Sequence, residues 1–211
     1  MNFKDFDFLS NFENIADGLR DEHNLQDIKF DEIYPEAIRR LSPRHFTPVH
    51  IAIKAANLLV DKPAMNILDI GSGVGKFCFV ASEHIGANYT GIEQRKNFYD
   101  LATSLAIEKK ALSVKFIEGN FVDLDFKNYD GFYFYNSFEE YINKTCIIDR
   151  TIDKSVASHK YYHQKLREKL ETAKIGSRLV TYYTFPGEMP DSFSIKQSTE
   201  GGLLKLWIKE K

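Results

Sequence analysis

The chain has 211 residues, with 28 basic against 30 acidic side chains and a formal net charge of −2. That length suits one domain with a substantial core plus an appended subdomain, and the charge excludes a global basic field that would make nucleic acid or an anionic membrane an obligatory partner. No apolar run approaches the roughly 20 residues that span a bilayer, the acidic start does not read as a signal peptide, and Cys78 and Cys146 have neither metal-ligand nor disulfide spacing, so a cytoplasmic protein with structural thiols and no bound metal is expected.

In residues 1–34 nine acids face three bases, and Phe3, Phe6, Phe8 and Phe12 recur at helical spacing, which predicts short amphipathic helices laid on a larger body. Residues 1–45 are read as this helical cap and 46–211 as the main domain. Thr47 is placed to cap a helix with Pro48 in its first turn and Val49, Ala52, Ile53, Ala56 and Leu59 on its apolar face, packed on the first strand. Strands follow near 65–70, 88–92, 114–118 and 131–135, with helices near 75–84 and 97–109 between them. Short extended runs alternating with helices mean a parallel sheet.

No period persists from Tyr141 to Val156, which is read as a loop or irregular insertion. The next helix carries Tyr162, Leu166, Leu170 and Ala173 on one face and is ended by Gly176. A fifth strand is predicted from Arg178 to Phe185, and runs at 193–197 and 203–209 flank a turn containing Gly201 and Gly202 as an antiparallel hairpin. The fold class is therefore α/β: a Rossmann-like seven-stranded sheet with helices on both faces, a C-terminal hairpin and a small N-terminal cap.

The most informative stretch is Met65-Asn66-Ile67-Leu68-Asp69-Ile70-Gly71-Ser72-Gly73-Val74-Gly75, a strand carrying one carboxylate that runs into a loop with glycine at every second position. Glycine allows positive φ and close approach of a ligand to the backbone. Counted from Gly71, the third glycine of the dinucleotide fingerprint is replaced by Lys76, and Asp69 suits an ammonium group better than a pyrophosphate. Glu93 closes the second strand about 22 residues after Gly71, where an acid can accept both ribose hydroxyls. A nicotinamide-linked oxidoreductase shares the ribose acid but is disfavoured by Asp69 and Lys76.

These residues resemble the class I S-adenosylmethionine-dependent methyltransferases, whose first motif is an acid, one residue, then G-x-G-x-G, and whose second strand ends in a ribose-binding acid. The resemblance covers about Phe46 to the C-terminus and implies S-adenosylmethionine as cofactor. It implies that Asp69 holds the methionine end, that the backbone of Gly71, Ser72, Gly73 and Gly75 lines it, and that Glu93, with Gln94 beside it, holds the ribose. Asn120 and Phe121, after the third strand, match the types that reach the adenine amino group and cover its face. The glycine loop and Gly91-Ile92-Glu93 look most like the non-SET lysine methyltransferases related to disruptor of telomeric silencing, in which a Thr before the preceding helix touches the cofactor; Thr47 is its counterpart. Their long N-terminal region and basic tail are missing, so this similarity speaks to cofactor geometry and not to substrate.

Methyl transfer from a sulfonium needs proximity, alignment and exclusion of water more than a universal catalytic group. Specificity then lies at the mouth after strand four, Phe132-Tyr133-Phe134-Tyr135-Asn136-Ser137-Phe138-Glu139-Glu140-Tyr141. Asn136 can accept a hydrogen bond from a substrate amine and is also a cofactor-contact candidate, while Tyr135 and Glu139 are the candidate catalytic partners; Glu140 and His45 are further proton acceptors. Asn136-Ser137-Phe138 lacks both prolines of the DNA amino-methyltransferase motif, so a flipped base is not indicated. The run Lys165, Arg167, Lys169, Lys174 and Arg178 reads as a solvated helix face. The expected function is methyl transfer to an unidentified small molecule or protein side chain; the alternative is a non-catalytic binder or scaffold of the same fold.

Overall fold

Alternation of apolar side chains along β1 (Asn66–Ile70) and β4 (Gly131–Tyr135) sends Ile67 and Tyr133 to one face of the sheet and Leu68, Ile70, Phe132 and Phe134 to the other. Both faces are apolar, so both must be covered. The computed structural model describes residues 22–135, 148, 155–184 and 187–211. Phe3, Phe6, Phe8, Phe12, Asn136, Glu139, Glu140, Cys146 and nearly all of the expected insertion lie outside these residues.

The sheet adds β2 (Asn88–Glu93), β3 (Val114–Glu118), β5 (Arg178–Tyr182), β6 (Phe193–Thr199) and β7 (Leu204–Lys209), in the order β3-β2-β1-β4-β5-β7-β6. The first five strands are parallel, and β7 enters antiparallel between β5 and β6. This is the expected seven-stranded sheet with its C-terminal hairpin. The hairpin turn is a 3-10 turn, Glu200–Gly202, in which Glu200, Gly201 and Gly202 all take positive φ.

In chain order the helices are α1 (22–31), α2 (Glu36–Arg39), α3 (Ser42–His45), α4 (Val49–Leu59), α5 (Lys76–His84), α6 (Lys96–Glu108) and α7 (Val156–Glu171). Side chains of α4, α5 and α6 fill the core on the Ile67 face. Leu166 and Leu170 of α7, with Phe121 and Phe126 from two 3-10 turns, fill the other. Tyr34 and Phe46, on either side of α2 and α3, belong to the first of these cores.

Helix α4 shares a core with Ile67 of β1 and also packs against α5 and over β4, β5 and β7, with Leu59 and Ile67 both approaching Gly131. Three expectations are corrected. Thr47 does not cap α4: Pro48 stands at the N-cap position, and the Val49 amide donates to Asp27 Oδ1 at 3.0 Å. Strand β5 stops at Tyr182 because Tyr183, at φ 58°, leaves the extended region. The basic run is no uniformly solvated face, since Arg167 donates to the Gly187 and Met189 carbonyls, Lys169 to Leu124 and Arg178 to Leu58, while Lys174 pairs with Asp130.

Candidate active site

Beside β1 the crossovers diverge to opposite faces, and the carboxyl ends of β1, β2, β3 and β4 open into one cleft. That topological switch point is where open α/β sheets bind ligands. The cleft encloses about 1160 Å³ including its open mouth. Its wall brings together Thr47, Asp69, Gly71, Ser72, Gly73, Glu93, Gln94, Asn120, Phe121 and Tyr135.

The loop after β1 is held from behind. The Gly71 and Ser72 amides donate to the Ile92 carbonyl at 3.1 and 3.0 Å, which ties the loop to β2. Gly75, at φ 83°, is the N-cap of α5 and does not line the cleft. A Cβ there would lie 2.3 Å from Phe116 Cζ, so glycine is required both by the left-handed backbone and by the packing of α5 on β3.

Two carboxylates face the cleft from adjacent strands. Glu93 accepts the Gly73 amide at 3.0 Å on one oxygen and the Arg95 amide at 2.8 Å on the other, with the Arg95 guanidinium 3.7 Å away. Burial holds its carboxyl above the usual range, against the pull of these donors. Asp69 is 4% exposed and its side-chain donor among the described residues is the Cys78 thiol, at 3.6 Å. Burial, with a smaller push from Glu93, drives its carboxyl up to about 8. No cation among the described residues offsets Asp69, which lies near a second acid, so a positively charged group would be electrostatically favoured beside it. Ser72 Oγ is buried with no hydrogen-bond partner among the described residues.

Opposite the carboxylates, Thr47 Oγ1 lies 3.1 Å from the Tyr133 hydroxyl, and the Tyr133 ring stacks on Phe77 with centroids 3.9 Å apart. Asn120 turns its carbonyl to the Val122 amide and its amino group to the Tyr162 hydroxyl at 3.0 Å, which fixes it at the cleft edge beside Phe121. Tyr135 lies against Tyr182 and Tyr183, centroids 5.0 and 6.3 Å away. His45, Arg44, Phe46, Lys76, Arg95, Phe98, Ile148 and Tyr162 also line the wall. Of these, His45 is an expected proton acceptor, and Phe98 and Tyr162 are expected only as apolar helix faces; nothing in residue type or spacing marks Arg44, Arg95 or Ile148 as wall residues.

Residues 61–200 match the family model described as a methyltransferase domain. The chain belongs to this methyltransferase family. Its fold is shared with an RNA methyltransferase from Salinibacter ruber in complex with S-adenosyl-L-homocysteine, at 22% identity and a TM-score of 0.57 over 78% of this chain and 94% of that one. TrmN from Thermus thermophilus gives 16% and 0.57 over 80% and 50% of the two chains. A SAM-dependent methyltransferase from Aquifex aeolicus gives 14% and 0.51 over 86% and 96%. No curated protein matches the chain in sequence. The methyltransferase domain, and the S-adenosyl-L-homocysteine bound by the Salinibacter ruber protein, agree with the cofactor expected from the glycine loop. Among the described residues no group of three or more His, Cys, Asp or Glu is arranged to hold a metal, and no helix is long and apolar enough to cross a membrane.

Proposed function

We propose that the cleft holds S-adenosylmethionine between Asp69 and Glu93 and that the methyltransferase delivers the methyl group to an amine or hydroxyl of a small molecule or protein side chain at the end of β4. The observation that carries this reading is the pair of buried carboxylates at the ends of β1 and β2, one of them without a cationic partner among the described residues. Asp69 takes the ammonium of the methionine end, and the backbone at Gly71, Ser72 and Gly73, with the buried Ser72 hydroxyl, lines it. Beyond the backbone amides of Gly73, Gln94 and Arg95, the Glu93 carboxylate has acceptor capacity left for a ribose hydroxyl, with Gln94 alongside. Asn120 and Phe121 serve the adenine, and Thr47 stands on the cofactor wall. Gly75 acts through the loop's shape. The pattern shared with the non-SET lysine methyltransferases supports this cofactor geometry.

Bound S-adenosylmethionine supplies an electrophilic methyl on a positively charged sulfur. What the chain contributes is orientation and exclusion of water. Tyr135 is proposed to align the acceptor and take part in its proton loss, together with Asn136 and Glu139. Residues 1–45 are proposed as a helical cap on the 46–211 domain, acting in the cytoplasm on an acceptor other than nucleic acid, in line with the near-neutral charge.

Calorimetric titration with S-adenosylhomocysteine tests the reading. Asp69→Ala and Glu93→Ala should each weaken binding by about 1–3 kcal/mol or more. Absence of binding by the unaltered protein sinks it. Binding without transfer of labelled methyl to any lysate fraction favours a non-catalytic scaffold instead.

A further inference from the structure

No residue of α1 lines the cleft, yet its carboxylates grip two parts that do. Lys76 continues directly from the glycine loop as the first residue of α5 and is 2% exposed. Its ammonium lies 2.6 Å from Asp27 Oδ1, 2.8 Å from Asp31 Oδ1 and 3.1 Å from Ser42 Oγ, with the Phe30 ring at 5.7 Å. A lysine in the first turn of a helix opposes the helix dipole, and a buried ammonium without counter-charge is strongly unfavourable. The acids of α1 are what make Lys76 tolerable there.

The same Asp27 oxygen accepts the Val49 amide at 3.0 Å. Val49 opens α4 two residues after Thr47, so this bond fixes the segment that carries Phe46 and Thr47 into the cleft. Tyr34 reinforces the join, with its ring against Phe46 at 6.1 Å and its hydroxyl 3.5 Å from the Val74 carbonyl inside the glycine loop.

We propose that Asp27 is a positioning residue of the cofactor site, and that docking of helix 22–31 and binding of cofactor are coupled through it. One carboxylate oxygen joins the glycine loop, by way of Lys76, to the Phe46 and Thr47 wall, by way of the Val49 amide. The inference rests on the cofactor reading above. Coupling of this kind is reciprocal: a docked helix tightens the cofactor site, and bound cofactor holds the helix down.

Hydrogen exchange of the full chain, with and without saturating S-adenosylhomocysteine, tests this directly. Ligand should slow exchange across 22–31 and 46–52 by about tenfold, although no residue of 22–31 touches the cleft. Binding that protects residues 71–75 and leaves 22–31 unchanged overturns the proposal while leaving the cofactor reading intact. Failure of the ligand to bind overturns both. In titrations, Asp27→Leu should weaken affinity about tenfold, and Asp27→Asn, which keeps the acceptor oxygen for both bonds, should stay within about threefold of the unaltered protein. Ile28→Ala, on the exposed side of the same helix, should change nothing. Equal affinities for Asp27→Leu and Asp27→Asn would also overturn it. Should Asp27→Leu fail to fold, the exchange experiment on the unaltered chain decides.

Discussion

Thr47 Oγ1 and the Tyr133 hydroxyl meet at 3.1 Å across 86 residues of chain, pinning the entry to α4 against the middle of β4. Both groups are buried, so removing either leaves the other unpaired. Thr47→Val and Tyr133→Phe should each lower stability by about 1–3 kcal/mol, and the double variant should cost less than their sum. Urea denaturation of the four proteins checks this. Strictly additive losses would mean that the hydroxyls do not depend on each other.

If Asp69 takes the ammonium of the cofactor as proposed, binding should be linked to loss of a proton. Its folded-state pKa of about 8 lies above the ordinary 3.8, so between those values the ligand-free protein holds a proton that the unfolded chain has lost. The stability from this group is fully present below pH 3.8 and is lost as pH rises through about 8. An ammonium ligand needs the ionised form, so binding near neutral pH should release about one proton, and affinity should climb from pH 6 to about 8. Calorimetry in buffers of different ionisation enthalpy measures the release. Affinity that is flat over this range, with no buffer-dependent heat, contradicts the assignment of Asp69.

Gly75→Ala should be among the most damaging small substitutions. The residue holds φ at 83°, and the added carbon would meet the Phe116 ring at 2.3 Å. The left-handed backbone costs about 1–2 kcal/mol and overpacking about 1–3 kcal/mol more. Thermal melting should show a drop that Phe116→Leu partly relieves; the strain at φ remains whatever the neighbour.

Lys209 is 4% exposed and donates to the carbonyls of Leu170, Glu171 and Ala173 at the end of α7. It satisfies acceptors that a helix terminus otherwise leaves bare, at the negative end of the dipole. Lys209→Met preserves most of the volume and should lower stability by about 1.5–3 kcal/mol, with faster hydrogen exchange in the last turn of α7. Unchanged stability would show that water replaces the ammonium without penalty.

What was legible in the chain was local. The order of strands and helices followed from apolar runs and their periods, and Asp69, the glycines and Glu93 could be read because a strand end, a turn and the next strand end lie close together in sequence. Lys76 was visible only as a missing glycine. Its meaning came from Asp27 and Asp31 on another helix, a pairing that no spacing rule encodes. Arg167 and Lys169 look solvated in the sequence because their partners are backbone carbonyls, which leave no trace in residue type, and the partners of Arg178 are the Leu58 carbonyl and Asp61, over a hundred residues earlier in the chain. Thr47 has the residue type and position of a helix cap, but a carboxylate from α1 accepts the Val49 amide instead. Residue types and spacing specify a nucleotide cleft of the methyltransferase kind, since those constraints act over a few residues. Closure of its walls depends on contacts between segments 40 to 86 residues apart, such as Tyr34 with Val74 and Thr47 with Tyr133, and those exist only once the sheet has brought the segments together.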